Sequence, residues 1–293
     1  MSNIGFIGVG LMGAAMAGRL LDRGHTLHVL GNRTRDRLDA LIARGANEAA
    51  SAKALAQNAD VVMLCMGTSD QVEGRMRGPD GVIAGLKPGA VVIDFGTSLP
   101  ASTRALGEEV AAAGGTYLDG PLGRTPAHAA GGLLNIMCSG DKAAFDQVRP
   151  VLDDLGENVF HLGALGSGHT IKLLNNFFGM TCANAMAEAF AMADVAGVSR
   201  QALYDVLSAG PNHSGMMDFV KGFAVDGDPN KLEFAIKNAL KDIGYYAKMT
   251  SDAGASSTMV QSPLAAFTKA VEQGEGERMV SEMVDVYAGW AKG

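Results

Sequence analysis

Lys172, Asn175 and Asn176 interrupt the apolar run IKLLNNFF at i, i+3 and i+4, so on a helix the three share one face. A lysine among Leu173, Leu174, Phe177 and Phe178 is costly unless it is used or paired, and such surroundings tend to lower its pKa. A lysine so placed can pass a proton to or from a substrate oxygen during hydride transfer. The same residues also fit a plainer description, a lysine reaching out to solvent beside capping asparagines.

Hydride chemistry needs a carrier, and the opening segment GFIGVGLMGAAMAGRL supplies a place for one. Gly8, Gly10 and Gly13 form the G-x-G-x-x-G spacing where a strand runs into a helix. The first glycine permits the tight turn and the second lets a pyrophosphate approach the backbone. The third lets helix and strand pack closely while the helix N-terminus faces the negative charge. The end of the next strand selects between dinucleotides. An acid about 20 residues past the glycines bonds the ribose hydroxyls of NAD, whereas an arginine accommodates the 2′-phosphate of NADP. Here the strand runs into LGNRTRDR: Asn32 stands where the acid is expected, followed by Arg33, Thr34, Arg35 and Arg37. This predicts a preference for NADP, with NAD as the alternative cofactor and Arg33 as the first phosphate partner. A solvated, charged helix start is the plainer account of Arg35 and Arg37.

The elements that must position these residues follow from periodicity. Apolar runs at 3–7, 26–30, 61–66, 91–95 and 116–118 read as strands, with helical spacing between them at 12–22 and 35–43. Near-continuous apolar strands alternating with helices imply a parallel sheet covered on both faces. A last α/β portion, 134–161, is expected to complete that sheet. After Gly163 the pattern turns helical, with a long stretch to about Val195 and further helices near 200–209, 231–253 and 263–273. Two domains are therefore expected, 1–163 binding the nucleotide and 164–293 helical, serving substrate and oligomerisation. The span 171–195 is apolar enough to raise a membrane crossing, but Lys172, Asn175, Asn176, Asn184, Glu188 and Asp194 argue instead for a helix buried between domains or subunits.

The totals exclude several classes. A net charge of −7 without any strongly basic run speaks against nucleic-acid binding. Cys65, Cys138 and Cys182 lie far apart in apolar surroundings and read as reduced structural thiols, which suits the cytoplasm. The six histidines have no metal-ligand spacing, so no metal site is expected. MSNIGFIGVG has neither the charged region nor the cleavage site of a signal peptide, so glycosylation at Asn32 or Asn212 is not expected.

Taken in order along nearly the whole chain, GFIGVGLMG, DFGTS from Asp94, DGPLGRTPAHAAGG, GSGHTIKLLNN and the pair Lys241-Asp242 resemble the β-hydroxyacid dehydrogenase family. That family includes 3-hydroxyisobutyrate dehydrogenase, tartronate semialdehyde reductase and sulfolactaldehyde reductase. The resemblance implies a Rossmann-type doubly wound parallel sheet followed by an all-helical domain, linked by the long helix around Lys172. It implies that Lys172 is the catalytic acid/base and that Asn176 holds substrate or lysine, with Asn175 beside them. On the cofactor side it points to Leu11, Met12, Asn32, Met66 and Thr97, with Lys241 near the nicotinamide. It also implies homodimers or homotetramers formed through the helical domains.

Two departures from the family pattern stand out. One extra residue, Gly31, precedes Asn32. Most members carry Ser-Gly-Gly in the substrate loop, where this chain has Gly123, Arg124 and Thr125, resembling the sulfolactaldehyde and semialdehyde reductase branch. The fork of Arg124 and the hydroxyl of Thr125 suit a substrate carboxylate or sulfonate, and the alternative is an arginine pairing with a surface acid or the cofactor phosphates. The expected activity is an NADP-preferring, reversible reduction of a short aldehyde bearing such an anion to the hydroxyacid. An NAD-dependent 3-hydroxyisobutyrate dehydrogenase-type enzyme and an imine reductase are the enzymatic alternatives, although imine reductases lack the Lys-x-x-Asn-Asn face. 6-Phosphogluconate dehydrogenase is less suited, with a different lysine motif and a larger helical domain. A non-catalytic nucleotide-binding protein is the alternative from another class, against which Lys172 itself weighs.

Overall fold

A computed structural model describes residues 1–31 and 35–291, in two units, Met1–Lys172 and Leu173–Gly293. In the first unit, strands β1 (Asn3–Ile7), β2 (Thr26–Leu30), β3 (Asn47–Ala49), β4 (Val61–Leu64), β5 (Val91–Asp94) and β6 (Thr116–Asp119) alternate with helices. These helices are α1 (Leu11–Asp22), α2 (Asp36–Ala43), α3 (Ala52–Gln57), α4 (Ser69–Met76) and α5 (Pro100–Ala112). The six strands form one all-parallel sheet in the order β3-β2-β1-β4-β5-β6. The order reverses at β1, so the carboxyl ends of β1, β2 and β4 open a crevice there.

Because side chains alternate along a strand, each central strand feeds two cores. Ile4, Phe6, Val61, Met63, Val91 and Ile93 point to the face packed with Met16, Leu20, Leu38 and Leu41 of α1 and α2. Ile7, Val62, Leu64 and Val92 point to the opposite face, where Leu55, Val72, Leu106 and Val110 cover them. The alternation of short apolar strands and helices thus produces a doubly wound sheet, as the sequence predicts. β3 was not predicted; its three residues, Asn-Glu-Ala, carry no apolar signal.

The portion 134–161 departs from expectation. Instead of extending the main sheet, β7 (Leu122–Gly123), β8 (Leu134–Cys138) and β9 (Gly156–His161) form a separate three-stranded sheet, with α6 (Pro126–Gly131) and α7 (Lys142–Leu155) between them. After β6 the chain turns at Gly120-Pro121, and Pro121, which has no N–H to give a ladder, instead accepts from Met137 N at 3.0 Å. β8 then pairs antiparallel with Leu122 and Gly123 and touches β6 only through a bridge between Asp119 and Ser139.

That bridge leads to the start of α8 (Ser167–Val195), a helix of 29 residues. Asp119 is fully buried, and its carboxylate accepts from Gly166 N at 2.8 Å, His169 N at 2.7 Å and the Ser139 hydroxyl. Ser139 Oγ in turn accepts from Gly168 N at 2.9 Å. Three of the backbone donors at the helix start, which would otherwise be orphaned, are therefore satisfied inside the protein, and the carboxylate complements the positive end of the helix dipole. No side chain fits at Gly168: a Cβ there would lie 2.1 Å from the Met137 carbonyl oxygen. The His169 ring is also buried, with Nδ1 2.7 Å from Thr103 Oγ1.

In the second unit, α8 continues through Leu173, Met180, Ala183, Ala187, Phe190 and Ala191, a stripe at three- and four-residue spacing. It packs in a core shared with α10 (Gly215–Ala224), α11 (Ile236–Asp252), α12 (Gln261–Glu272) and α13 (Met283–Ala291), while α9 (Arg200–Ser208) contributes partly buried residues. α10 and α13 were not predicted, and among the described residues this unit has no strand. Leu174 and Phe178 leave α8 on its exposed side, so the helix is apolar on more than its packed stripe. Among the described residues no helix is long and apolar enough to cross a membrane.

An Asp119→Asn variant presents an amide to a donor that now faces a carboxylate. We expect a loss of about 2–3 kcal/mol in unfolding free energy, read as a fall of several degrees in Tm. An unchanged Tm would mean that this buried carboxylate does not anchor α8.

Candidate functional site

The turn between β1 and α1 is built by three glycines for three different reasons. Gly8 has φ +98°, and a Cβ on it would lie 2.3 Å from the Cys65 carbonyl oxygen. A Cβ on Gly13 would lie 1.9 Å from the carbonyl oxygen of Gly8, so this glycine lets the helix seat against its own turn. Gly10 has open space where its Cβ would be. It caps α1 without a side-chain hydrogen bond, and the first turn contains no acid. The N–H groups at this end of a 12-residue helix therefore meet open space and carry the positive end of its dipole, which fits a pyrophosphate.

A cleft of about 170 Å³ begins at this turn and is lined by residues 7–10, Leu30, Gly31, residues 65–67, Gln71 and Arg75. Met66, predicted at the cofactor, lines it; Leu11 stands largely exposed beside it, and Met12 is partly buried against the core. Gln71 Oε1 accepts from Gly67 N at 3.0 Å and fixes the loop after β4. Burial, with the Asp94 carboxylate adding to it, pushes the Cys65 thiol up to about 12, so it remains a neutral thiol in the wall of the cleft. Asn32, Arg33 and Thr34 lie outside the described residues. Arg35, which follows them, is paired with Asp39 and Glu48, each at 2.9 Å, and holds the start of α2 against β3.

The DFGTS segment is shaped from within. Asp94, buried at the end of β5, accepts from Gly96 N at 2.8 Å and Ser98 Oγ at 2.7 Å, so Thr97 is left partly exposed at the tip of the loop. Leu99 N donates to Ser69 Oγ at 2.8 Å, tying this loop to the start of α4.

In the Gly123-Arg124-Thr125 loop, Arg124 has φ +81°, and among the described residues it is the one non-glycine residue in left-handed conformation. Such backbone costs an L-residue about 1–2 kcal/mol, and a glycine would adopt it without that cost. The Arg124 side chain is about 30% exposed; its Nη1 donates to Leu133 O at 2.6 Å and to Glu157 Oε2 at 2.5 Å. Both bonds use one nitrogen. Nε and Nη2 have no partner among the described residues, which leaves the other edge of the fork for an anion. Thr125 caps α6, and its Oγ1 lies 2.8 Å from His128 Nδ1.

Lys172 stands in the second turn of α8, partly buried, three residues beyond the His169 N–H that Asp119 holds. In the second unit a relay ties the two asparagines to α11. Asn175 Nδ2 donates to Asn176 Oδ1 at 3.1 Å, and Asn176 Nδ2 donates to Asp242 Oδ2 at 2.6 Å. Lys241 Nζ lies 2.9 Å from the other oxygen of the Asp242 carboxylate. Asn176 and Asp242 are both buried, and Phe177 stacks on Tyr246 with ring centroids 4.0 Å apart, so α8 is keyed to α11 by one polar pair and one ring pair. An ionised carboxylate can only accept, so the Asn176 amide must turn its N–H rather than its oxygen towards Asp242.

The structure thus gathers Gly8, Gly10 and Met66 around one cleft, with Gly13 packed behind the turn, and brings Asn175, Asn176 and Lys241 together around Asp242. Sequence reasoning gave no role to Asp119, Asp242, Gln71 or Arg75. Asp242 carried a signal, because it sits on the same helical face as Ile236, Ala239, Ile243 and Tyr246, all buried. A lone acid on such a face asks for a partner.

Comparison with known proteins identifies the family. The family profile for the NAD binding domain of 6-phosphogluconate dehydrogenase matches residues 3–163. That for the NAD-binding domain of NADP-dependent 3-hydroxyisobutyrate dehydrogenase matches residues 166–287. An NAD-dependent L-serine dehydrogenase of Pseudomonas aeruginosa is 32% identical, with 95% of each chain covered. The solved structure of Mycobacterium tuberculosis 3-hydroxyisobutyrate dehydrogenase with L-serine superposes with a TM-score of 0.88 at 26% identity, covering 98% of this chain and 99% of that one. Psf3 in complex with NADP+ and 2-OPP gives a TM-score of 0.84 at 26% identity, covering 97% and 99%. The chain belongs to the β-hydroxyacid dehydrogenase family. It is an NAD(P)-dependent oxidoreductase related to hydroxyacid and semialdehyde dehydrogenases.

The glycine geometry separates binding from folding. Gly10→Ala, entering open space, should leave Tm within about one degree while weakening NAD(P)H binding about tenfold or more. Gly13→Ala, which drives a methyl into the Gly8 carbonyl, should lower Tm by several degrees. Equal effects of the two variants on Tm would contradict this division.

Proposed function

We propose that the protein interconverts a short 3-hydroxy acid and the corresponding aldehyde in the manner of a 3-hydroxyisobutyrate dehydrogenase. The observation that carries this reading is the Lys172, Asn175 and Asn176 face of α8, with the Asn176 amide locked by buried Asp242. The matched second profile and the relatives named for hydroxyacid and L-serine oxidation support the hydroxyacid as substrate. A semialdehyde reductase is the same reaction run in reverse.

When bound, the nicotinamide cofactor supplies the acceptor for the hydride leaving the substrate's carbinol carbon. Lys172 takes the hydroxyl proton at the substrate oxygen, and in reduction it returns that proton to the alkoxide. Asn175 and Asn176 orient this end of the substrate. The free edge of Arg124, with Thr125 and the backbone at Gly123, holds the acidic group, and Glu157 aims the guanidinium. Fixing that anion orients the reacting carbon. The cofactor would be held by Gly8, Gly10, Leu11, Met12, Gly13, Met66 and Thr97, with Lys241 towards the nicotinamide. Asn32, Arg33 and Thr34 would hold the ribose and its phosphate. The missing acid at Asn32 and the presence of Arg33 support NADP over NAD.

A panel of 3-hydroxyisobutyrate, L-serine, and succinic, tartronic and methylmalonic semialdehydes, with sulfolactaldehyde, tested with both cofactors, identifies the substrate. Lys172→Ala should lower kcat by about 10²–10⁴ while NADPH affinity stays within about twofold, and near-normal turnover would sink the mechanism. Arg124→Ala should raise KM for acidic substrates about tenfold or more with a smaller change in kcat. A KM unchanged for every anionic substrate refutes the clamp.

A further inference from the structure

We propose that Arg75 of α4 is a second recognition residue for the cofactor's adenosine end, pairing with the ribose 2′-phosphate of NADP(H). The inference rests on the NADP preference proposed above and identifies a residue of this chain, distant in sequence from the β2 end, that would enforce it.

Arg75 lines the dinucleotide cleft together with the Gly8–Gly10 turn, Leu30 and Gly31. It also borders the neighbouring depression formed by Leu30, Gly31, Ala50 and Ser51. Gly31 immediately precedes Asn32, the position at which dinucleotide sites of this topology read the ribose hydroxyls. α4 reaches this place because Thr68 caps it and Gln71, one turn before Arg75, is fastened to Gly67 N.

Four described arginines lie near this end of the sheet, Arg35, Arg37, Arg75 and Arg77; two are committed, and Arg37, exposed on α2, lines neither depression. Arg35 is paired with Asp39 and Glu48, and Arg77 with Glu73 and Glu109. Glu48, whose carboxylate is the acid nearest Gly31, is held well ionised by Arg35 and is electrically matched by it. The side chain of Arg75 makes no hydrogen bond or ion pair among the described residues, and it is partly buried. It therefore adds an uncompensated positive charge to this end of the cleft, facing a ligand position where NADP carries a dianion and NAD a hydroxyl. A guanidinium also presents the planar fork that phosphate oxygens match.

The test is equilibrium binding by calorimetry, using the full-length protein and its Arg75→Ala and Arg75→Lys variants. The probes are 2′,5′-ADP, 5′-AMP, NADPH and NADH. Arg75→Ala should weaken 2′,5′-ADP and NADPH about tenfold or more and change 5′-AMP and NADH by less than about twofold, with Arg75→Lys in between. Equal losses for phosphorylated and unphosphorylated probes would mean that Arg75 packs on adenine, and the proposal falls. An unaltered NADPH:NADH ratio in Arg75→Ala overturns it while leaving the cofactor preference intact. A wild-type protein that binds NADH as tightly as NADPH overturns that preference, and this proposal with it. Arg75 is at the surface rim of the cleft, so Tm of the variants within about one degree of wild type separates a binding loss from misfolding.

Discussion

The buried carboxylate of Asp119 is the constraint on which the start of α8 in the first unit depends. It lies where β6 ends and the chain leaves the main sheet, and it gathers N–H groups from Gly166 and His169 together with the Ser139 hydroxyl. One group thereby joins the main sheet, the small second sheet and the start of the longest helix. A carboxylate without such donors would be costly at this depth; with them it is held in one geometry. The direction of α8 at its first turn, and so the place of Lys172 in the second, follows from that hydrogen-bond set.

Asp242 repeats the device in the second unit. Here the amide of Asn176 donates and the ammonium of Lys241 pairs by charge, so what is fixed is the orientation of side chains rather than a helix end. Asn176 is left no freedom to exchange its oxygen and nitrogen, because its N–H is claimed by a carboxylate and its oxygen by Asn175. Both aspartates are buried, and each fixes a stretch of α8 or α11 from within.

The sheet was legible because it obeys a local rule. β1 and β2 run over the predicted residues, since Val, Ile, Leu and Phe on both faces admit no other reading within a doubly wound sheet. The glycine turn was legible for the same reason, as spacing alone encodes it. What escaped depends on partners far away in sequence. The placement of 134–161 in a sheet of its own is decided by Pro121 and by the Asp119–Ser139 bridge, neither of which leaves a periodic trace. Lys172, Asn175 and Asn176 could be picked out as polar residues in an apolar helix, but Asp242 could not be joined to them without knowing that α8 packs on α11. Arg35 could be read as a phosphate ligand or a solvated charge; that Glu48 of the unpredicted β3 pairs with it emerges only in three dimensions.

The left-handed backbone at Arg124 bears on how such a protein diversifies. The penalty of that conformation is absent for glycine, smaller for Asn or Asp and largest for β-branched residues, so arginine stands there at a cost that glycine avoids. The loop path is set by its neighbours, with Pro126 after it and Asn135 packed against Gly123. Position 124 thus behaves as a socket: what projects from it can change, down to nothing in a glycine, without rebuilding the scaffold. Glu157, which pairs with the arginine now seated there, would be left without its cation if that position returned to glycine, so the two positions are coupled.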